Sequence, residues 1–183
     1  SPQLYTLAIR LLDCNDSVIE LVGTRIGFRN VEMKSNLLCL NGTPLTIKGV
    51  NRHEFSGTGG QTVSREEMET DIRQMKELHI NAVRTSHYPC DVYWYELCDR
   101  YGLYVCDEAN NESHAQGYGE NSLAKKEEWA EQVLYRVNNM YKRDRNHPSV
   151  IIWSLGNECG NGICFERAYR YLKGKDNTRP VIN

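Results

Sequence analysis

Apolar and polar positions alternate through residues 4 to 33, in the runs LYTLAIRLLD and SVIELVGTRIGFRNVEM, which are broken at Asp13-Cys-Asn-Asp16 and at Gly23. Period-two alternation punctuated by turn residues predicts antiparallel strands. Two or three such strands cannot close a sandwich by themselves, so this stretch reads as the end of a small all-β unit. After Asn36 the pattern changes to apolar strands alternating with amphipathic helices, which places a domain boundary between Met33 and Leu37, with residues 1–35 before it and 36–183 after.

In the second region the turn Asn41-Gly-Thr-Pro44 leads into a strand at Leu45–Val50. Ser64 and Glu67 form a capping box for a helix running to Leu78, with Met68, Ile72, Met75 and Leu78 along its inner face. A strand at Asn81–Thr85 follows, then a helix from Asp91 to Tyr101 that Gly102 ends as a C′ glycine. Leu103–Cys106 is the third strand. A helix from Lys126 to Arg145 should bury Trp129, Val133, Val137 and Met140, and Pro148 lies just beyond its end. The apolar run Val150–Leu155 suits a strand buried on both faces of a parallel sheet. A helix from Gly162 to Lys173 and the opening of a fifth strand at Pro180–Ile182 complete the pattern. Four β-α units and a fifth strand predict an α/β fold with parallel strands and right-handed crossovers. A doubly wound sheet and a (β/α)8 barrel both satisfy that order, and residues 37 to 183 would supply about half of the ~250 residues a barrel takes.

Composition narrows the class. The 183 residues are 40% hydrophobic and 25% charged with a net charge of −2, which excludes a disordered or collagen-like chain. Interspersed charges leave no basic footprint for a phosphate backbone, so no nucleic-acid partner is expected. No run reaches the ~18 apolar residues of a membrane span, and SPQLYTLAIRLLD lacks the pattern of a secretory leader. Seven cysteines, an odd number without CxxC spacing, read as free thiols in a reducing, cytoplasmic compartment, with the periplasm open as the alternative. Eleven tyrosines and three tryptophans would suit stacking on sugars as well as packing.

Polar residues gather after the strand ends: Asn51-Arg-His-Glu54, Ser86-His-Tyr88, Asp107-Glu-Ala-Asn110 and Gly156-Asn-Glu158. Both candidate folds place their sites at that edge. Glu158, beside Asn157 at the end of a buried strand, sits where water is partly excluded and a carboxyl suits general-acid work, or else it caps the next helix. Glu112 and His114, two apart in a loop, could converge with Glu158 on a divalent cation, magnesium or manganese by the carboxylate content, or could be ordinary surface polarity. His53 and His87 could hydrogen-bond a polar ligand or be satisfied rim histidines. His79 at a helix end and His147 before Pro148 read as structural. The Gly156–Gly162 loop could cradle phosphate, but GxGxxG would need glycine where Phe165 stands, and neither Ser86 nor Ser154 lies in G-x-S-x-G.

Four stretches, NRHEF (51–55), NAVRTSHYP (81–89), DRYGLYVCDEANNESH (99–114) and RDRNHPSVIIWSLGNE (143–158), together resemble the β-galactosidases of glycoside hydrolase family 2, from about Glu20 to Asn183. The resemblance implies that residues 1–35 end an immunoglobulin-like β-sandwich. Residues 36–183 would then be the N-terminal half of a catalytic TIM (β/α)8 barrel, ending at strand 5. It implies a retaining hydrolase of terminal, lactose-like β-galactosides, in which two carboxyl groups lie ~5–5.5 Å apart. By the same resemblance Glu158 is the acid/base, Asn157 bonds the sugar 2-hydroxyl, and His53 and His87 contact the sugar. Glu112, His114 and Glu158 would bind Mg2+, and Arg84 and Asp107 would orient these groups at the barrel mouth. The nucleophile would be a glutamate on a seventh strand, so no residue here takes that role, the chain alone is expected to be inactive, and the parent is expected to be a homo-oligomer. Asn111 stands where the resemblance implies an aliphatic residue, and its amide could disturb the loop carrying Glu112. β-Glucuronidases share the NHPSV…NE stretch, so a β-glucuronidase and a non-catalytic sugar-binding module stay open as alternatives.

Overall fold

The structure, a computed structural model, describes residues 2–183. Strands β1 (Tyr5–Leu12) and β2 (Val18–Ile26) form an antiparallel ribbon. Its turn is closed by Asp13, whose Oδ1 accepts from the backbone N–H of Asn15 and Ser17 at 2.8 Å each. Ile9, Leu11, Ile19 and Leu21 remain exposed on this ribbon. Strands β3 (Val31–Lys34), β4 (Leu37–Leu40) and β5 (Thr43–Pro44) make a separate antiparallel sheet. Ser35 and Asn36 join β3 to β4 with φ of 50° and 62°, the left-handed pair that a tight hairpin of matching twist requires. The boundary expected between Met33 and Leu37 therefore falls on a hairpin turn, and the first two sheets part at residues 27–30 instead.

The remainder is a parallel sheet of β6 (Gly49–Arg52), β7 (Ala82–Thr85), β8 (Tyr104–Glu108), β9 (Val150–Ser154) and β10 (Val181–Ile182), lying side by side in chain order. Helices α1 (Arg65–Glu77), α2 (Val92–Tyr101), α3 (Ala130–Asp144) and α4 (Ile163–Lys175) link them. A doubly wound sheet reverses its strand order at a switch point; this one runs in a single direction, as barrel strands do. One contiguous core, including Trp94, Leu97, Val105, Val137, Trp153 and Leu172, fills the space between sheet and helices. No helix among the described residues is long and apolar enough to cross a membrane. All seven cysteines are free thiols.

Helix boundaries follow their capping chemistry. Ser64 and Glu67 exchange side-chain and backbone hydrogen bonds of 2.8 and 3.2 Å as a capping box. Asp91 caps α2 through the Tyr93 N–H, and Gly102 closes it in the left-handed conformation. Two positions depart from the helical pattern. Leu78 is 72% exposed, because α1 has already ended and His79 turns the chain left-handed. Trp129 is 40% exposed, because residues 127–129 form a 3-10 turn and α3 begins only at Ala130.

Strand β6 starts four residues later than the apolar run Leu45–Val50 suggests. The Leu45 N–H is taken by the Leu38 carbonyl, which keeps that segment with β4, and pairing with β7 fixes β6 at Gly49–Arg52. Strand β8 runs on to Glu108, two residues past the expected end.

Candidate functional site

Strand residues alternate sides, and that parity sorts the polar groups at the C-terminal edge of the parallel sheet. Asp107 faces the helices. Its Oδ1 accepts from Tyr95 Oη at 2.6 Å and Thr85 Oγ1 at 3.4 Å, and it is fully buried. Burial and the neighbouring Asp144 carboxyl hold Asp107 well above the ordinary carboxylate range. Contrary to what the resemblance implies, it does not line the mouth; it braces β8 against α2 from behind.

The next residue, Glu108, takes the other face. Its Oε2 accepts from Arg84 Nε at 2.7 Å and Ser154 Oγ at 2.6 Å, and its Oε1 lies 2.7 Å from His87 Nδ1. Arg84 also reaches forward, donating from Nη2 to Asn157 Oδ1 at 2.9 Å. Asn157 Nδ2 donates to Glu112 Oε1 at 3.1 Å. His114 Nδ1 lies 3.4 Å from Glu112 Oε1 and 3.1 Å from Glu158 Oε2. His53 packs edge-on against His87, with ring centroids 5.2 Å apart. The candidates His53, His87, Arg84, Asn157, Glu112, His114 and Glu158 thus form one continuous run of contacts, and Glu108 is the member that sequence reasoning overlooked.

Two loops carry the outer part of this run, and their approach is tight. A Cβ on Gly156 would lie 2.6 Å from the Asn111 carbonyl oxygen, so only glycine lets the loop after β9 come so near the loop after β8. The Asn157 N–H donates to that carbonyl at 2.9 Å, and Asn111 Nδ2 donates to the Leu155 carbonyl at 2.8 Å. Asn111 does not disturb the Glu112 loop. It ties that loop to β9.

Glu158 follows in a left-handed conformation, φ 47°, with its side chain 55% exposed, so the described residues do not provide the water exclusion expected around it. It caps no helix, since Gly162 is the N-cap of α4. The glycines of this loop serve packing. A Cβ on Gly162 would collide with the Ala124 carbonyl, and Gly160 is left-handed, its carbonyl accepting from Asn183 Nδ2, which leaves no support for a phosphate cradle. His147 is structural, with Nδ1 2.7 Å from Asp99. Burial pushes the Cys106 thiol up to about 12, which removes it as a thiolate nucleophile near neutral pH.

One ligand atom from each of Glu112, His114 and Glu158 lies within 4.8 Å of the other two. Two carboxylates and an imidazole converging on one point form a donor set that suits a hard divalent cation.

The glycosyl hydrolases family 2 TIM barrel domain model matches residues 31–183. The beta-galactosidase of Priestia megaterium (strain DSM 319 / IMG 1521) is 49% identical over 188 residues, covering 99% of this chain and 18% of the relative. A beta-galactosidase of Enterobacter cloacae is 50% identical over 181 residues, with the same two coverages. The chain therefore spans 18% of the length of these curated relatives. Among solved structures, Ruminococcus gnavus beta-glucuronidase in complex with uronic isofagomine superposes with a TM-score of 0.84 at 28% identity, over 97% of this chain and 32% of that one. The beta-D-glucuronidase from Dictyoglomus thermophilum gives 0.82 at 28% identity, over 98% and 32%. With parallel strands wound in one direction and a family match that runs from residue 31 to the last residue, the chain belongs to the TIM barrel domain of the family 2 glycosyl hydrolases.

Proposed function

We propose that the protein containing this chain is a retaining β-galactosidase and that Glu158 is its general acid/base. The observation that carries this reading is the placement of Glu158 after β9, beside Asn157 and within one run of contacts that ends at His53 and His87. The 49–50% identity to beta-galactosidases supports the choice of sugar.

In this mechanism Glu158 donates its proton to the glycosidic oxygen as the bond to the aglycone breaks, then removes a proton from the water that releases the sugar. A second carboxylate, contributed from outside residues 1–183, attacks the anomeric carbon. The amide of Asn157 and the imidazoles of His53 and His87 supply hydrogen bonds to sugar hydroxyls. Glu112, His114 and Glu158 would hold Mg2+, which when bound supplies positive charge beside the acid/base carboxyl.

The exposed apolar residues of β1 and β2 fit the end of an immunoglobulin-like sandwich that continues outside this chain, with the barrel domain beginning near residue 31. Seven free cysteines fit a reducing compartment.

The β-glucuronidase reading draws on the two structural neighbours. Against it, identity to those two neighbours is 28%, whereas identity to the beta-galactosidases is 49–50%. Turnover of an aryl β-galactoside and an aryl β-glucuronide by the full-length protein, with the first-formed anomer read by NMR, tests the proposal. Galactoside cleavage releasing the β anomer first is expected. Preference for the glucuronide, or the α anomer first, overturns it.

A further inference from the structure

The geometry points to Glu108 as the positioning residue that sets the hydrogen-bonding polarity of the sugar-facing groups, making His87 Nε2 an acceptor and Asn157 Nδ2 a donor toward neighbouring hydroxyls of a pyranoside. This inference rests on the reading of the site as a glycosidase.

Glu108 is fully buried, yet its carboxylate is satisfied from three directions, by Arg84 Nε, Ser154 Oγ and His87 Nδ1, at 2.6 to 2.7 Å. A carboxylate only accepts, so the nitrogen of His87 that faces it must carry the hydrogen. In the neutral ring the opposite nitrogen, Nε2, is then the acceptor. The His87 side chain is 21% exposed and turns its far edge away from the buried carboxylate. Arg84, anchored by the same carboxylate, donates to Asn157 Oδ1, and a guanidinium offers no acceptor, so the amide is held with oxygen inward and nitrogen outward. One of the two Asn157 Nδ2 hydrogens goes to Glu112 and the other is left for a ligand.

The Glu108→Gln substitution keeps the shape and breaks this logic. An amide has one oxygen and one NH2. With the oxygen retained against Arg84 and Ser154, the NH2 faces His87 Nδ1, which must become the acceptor, and Nε2 becomes the donor.

The test uses the full-length protein and two readouts. In 15N-histidine-labelled protein at pH 8, with His87 assigned by its own substitution, the parent should show a protonated Nδ1 and an unprotonated Nε2, and Glu108→Gln should reverse them. In kinetics, Glu108→Gln should lower kcat/KM on an aryl β-galactoside by about 10- to 100-fold, the range for removing an orienting outer partner. Across a series of monodeoxy galactosides that loss should disappear for the same substrate that masks the loss in a His87 variant. Unchanged ring nitrogens, or an equal loss on every deoxy substrate, overturns the inference. Failure of the parent to cleave any galactoside overturns the glycosidase reading separately, while the nitrogen spectra still decide the tautomer. If Glu108→Gln does not fold, Ser154→Ala removes one donor from the same carboxylate. That variant keeps the carboxylate facing His87, so its ring nitrogens should stay as in the parent, with Nδ1 protonated and Nε2 unprotonated, and a protonated Nε2 in either protein overturns the inference.

Discussion

His114 Nδ1 lies 3.1 Å from Glu158 Oε2, although His114 follows β8 and Glu158 follows β9. The contact exists because Gly156 and Asn111 bring the two loops together, and it leaves Glu112 and Glu158 converging on the same imidazole. A divalent cation placed there would take a ligand from each loop. Magnesium or manganese titrated into the metal-stripped full-length protein should bind at this cluster, and Glu112→Gln should weaken it by at least ~10-fold. Unchanged affinity in that variant would remove Glu112 from the ligand set.

Gly156→Ala should be costly for a local reason. Its Cβ would lie 2.6 Å from the Asn111 carbonyl oxygen and 2.8 Å from the Asn111 Cβ, both parts of a buried, hydrogen-bonded residue. Forcing the loops apart should cost ~1–3 kcal/mol, read as a lower thermal midpoint, and should depress activity by displacing Glu158. A variant as stable and active as the parent would show that the loop contact is dispensable.

Asn111 itself separates two kinds of substitution. It donates to the Leu155 carbonyl at 2.8 Å, while its Oδ1 is buried without a partner. Asn111→Leu removes the orphaned oxygen but leaves the buried Leu155 carbonyl without its donor, so it should cost ~1–2 kcal/mol. Asn111→Asp sets a buried acceptor against a carbonyl oxygen and should cost ~3 kcal/mol or more. Denaturation midpoints in the opposite order would contradict the assigned bond.

Asp107 predicts a pH dependence. Burial and Asp144 raise its carboxyl well above the ordinary range, with the Tyr95 hydrogen bond opposing them and the Arg143 guanidinium nearby. The folded protein therefore keeps a proton here that the unfolded chain has released above a pH of about 4. Stability should fall as pH rises from there toward the folded value, because the native state binds more protons in that window. Asp107→Asn keeps an acceptor for Tyr95 and removes this dependence, so its thermal midpoint should fall less between pH 5 and 8 than the parent's. Equal declines would assign the dependence to other groups.

Much of this arrangement was legible in the chain. Capping chemistry is local, so Ser64, Glu67, Asp91 and Gly102 marked helix ends correctly. Alternation and crossover order gave the number and succession of the five parallel strands and located four of them, and the order of strands in the sheet, which only the structure supplies, chose between the two α/β folds. What local pattern does not contain is phase. Asp107 and Glu108 are adjacent carboxylates, and nothing in DEAN tells which turns to the helices until the register of β8 against β7 and β9 is known. The apolar run ends at Cys106, so from the sequence both read as loop residues, and the orienting role that the resemblance assigns to Asp107 belongs in the structure to Glu108. Strand β6 was misplaced for a related reason, since Leu45–Val50 is the more apolar segment whereas pairing with β7 decides the strand.

The central claim, that Glu158 donates the proton to the leaving group, is tested most directly by Glu158→Gln in the full-length protein across galactosides of graded leaving-group ability. The account predicts a large loss of kcat/KM for alkyl galactosides, whose departing oxygen needs the proton, and a far smaller loss for activated aryl galactosides, which leave without it. Equal losses across the series would contradict the assignment.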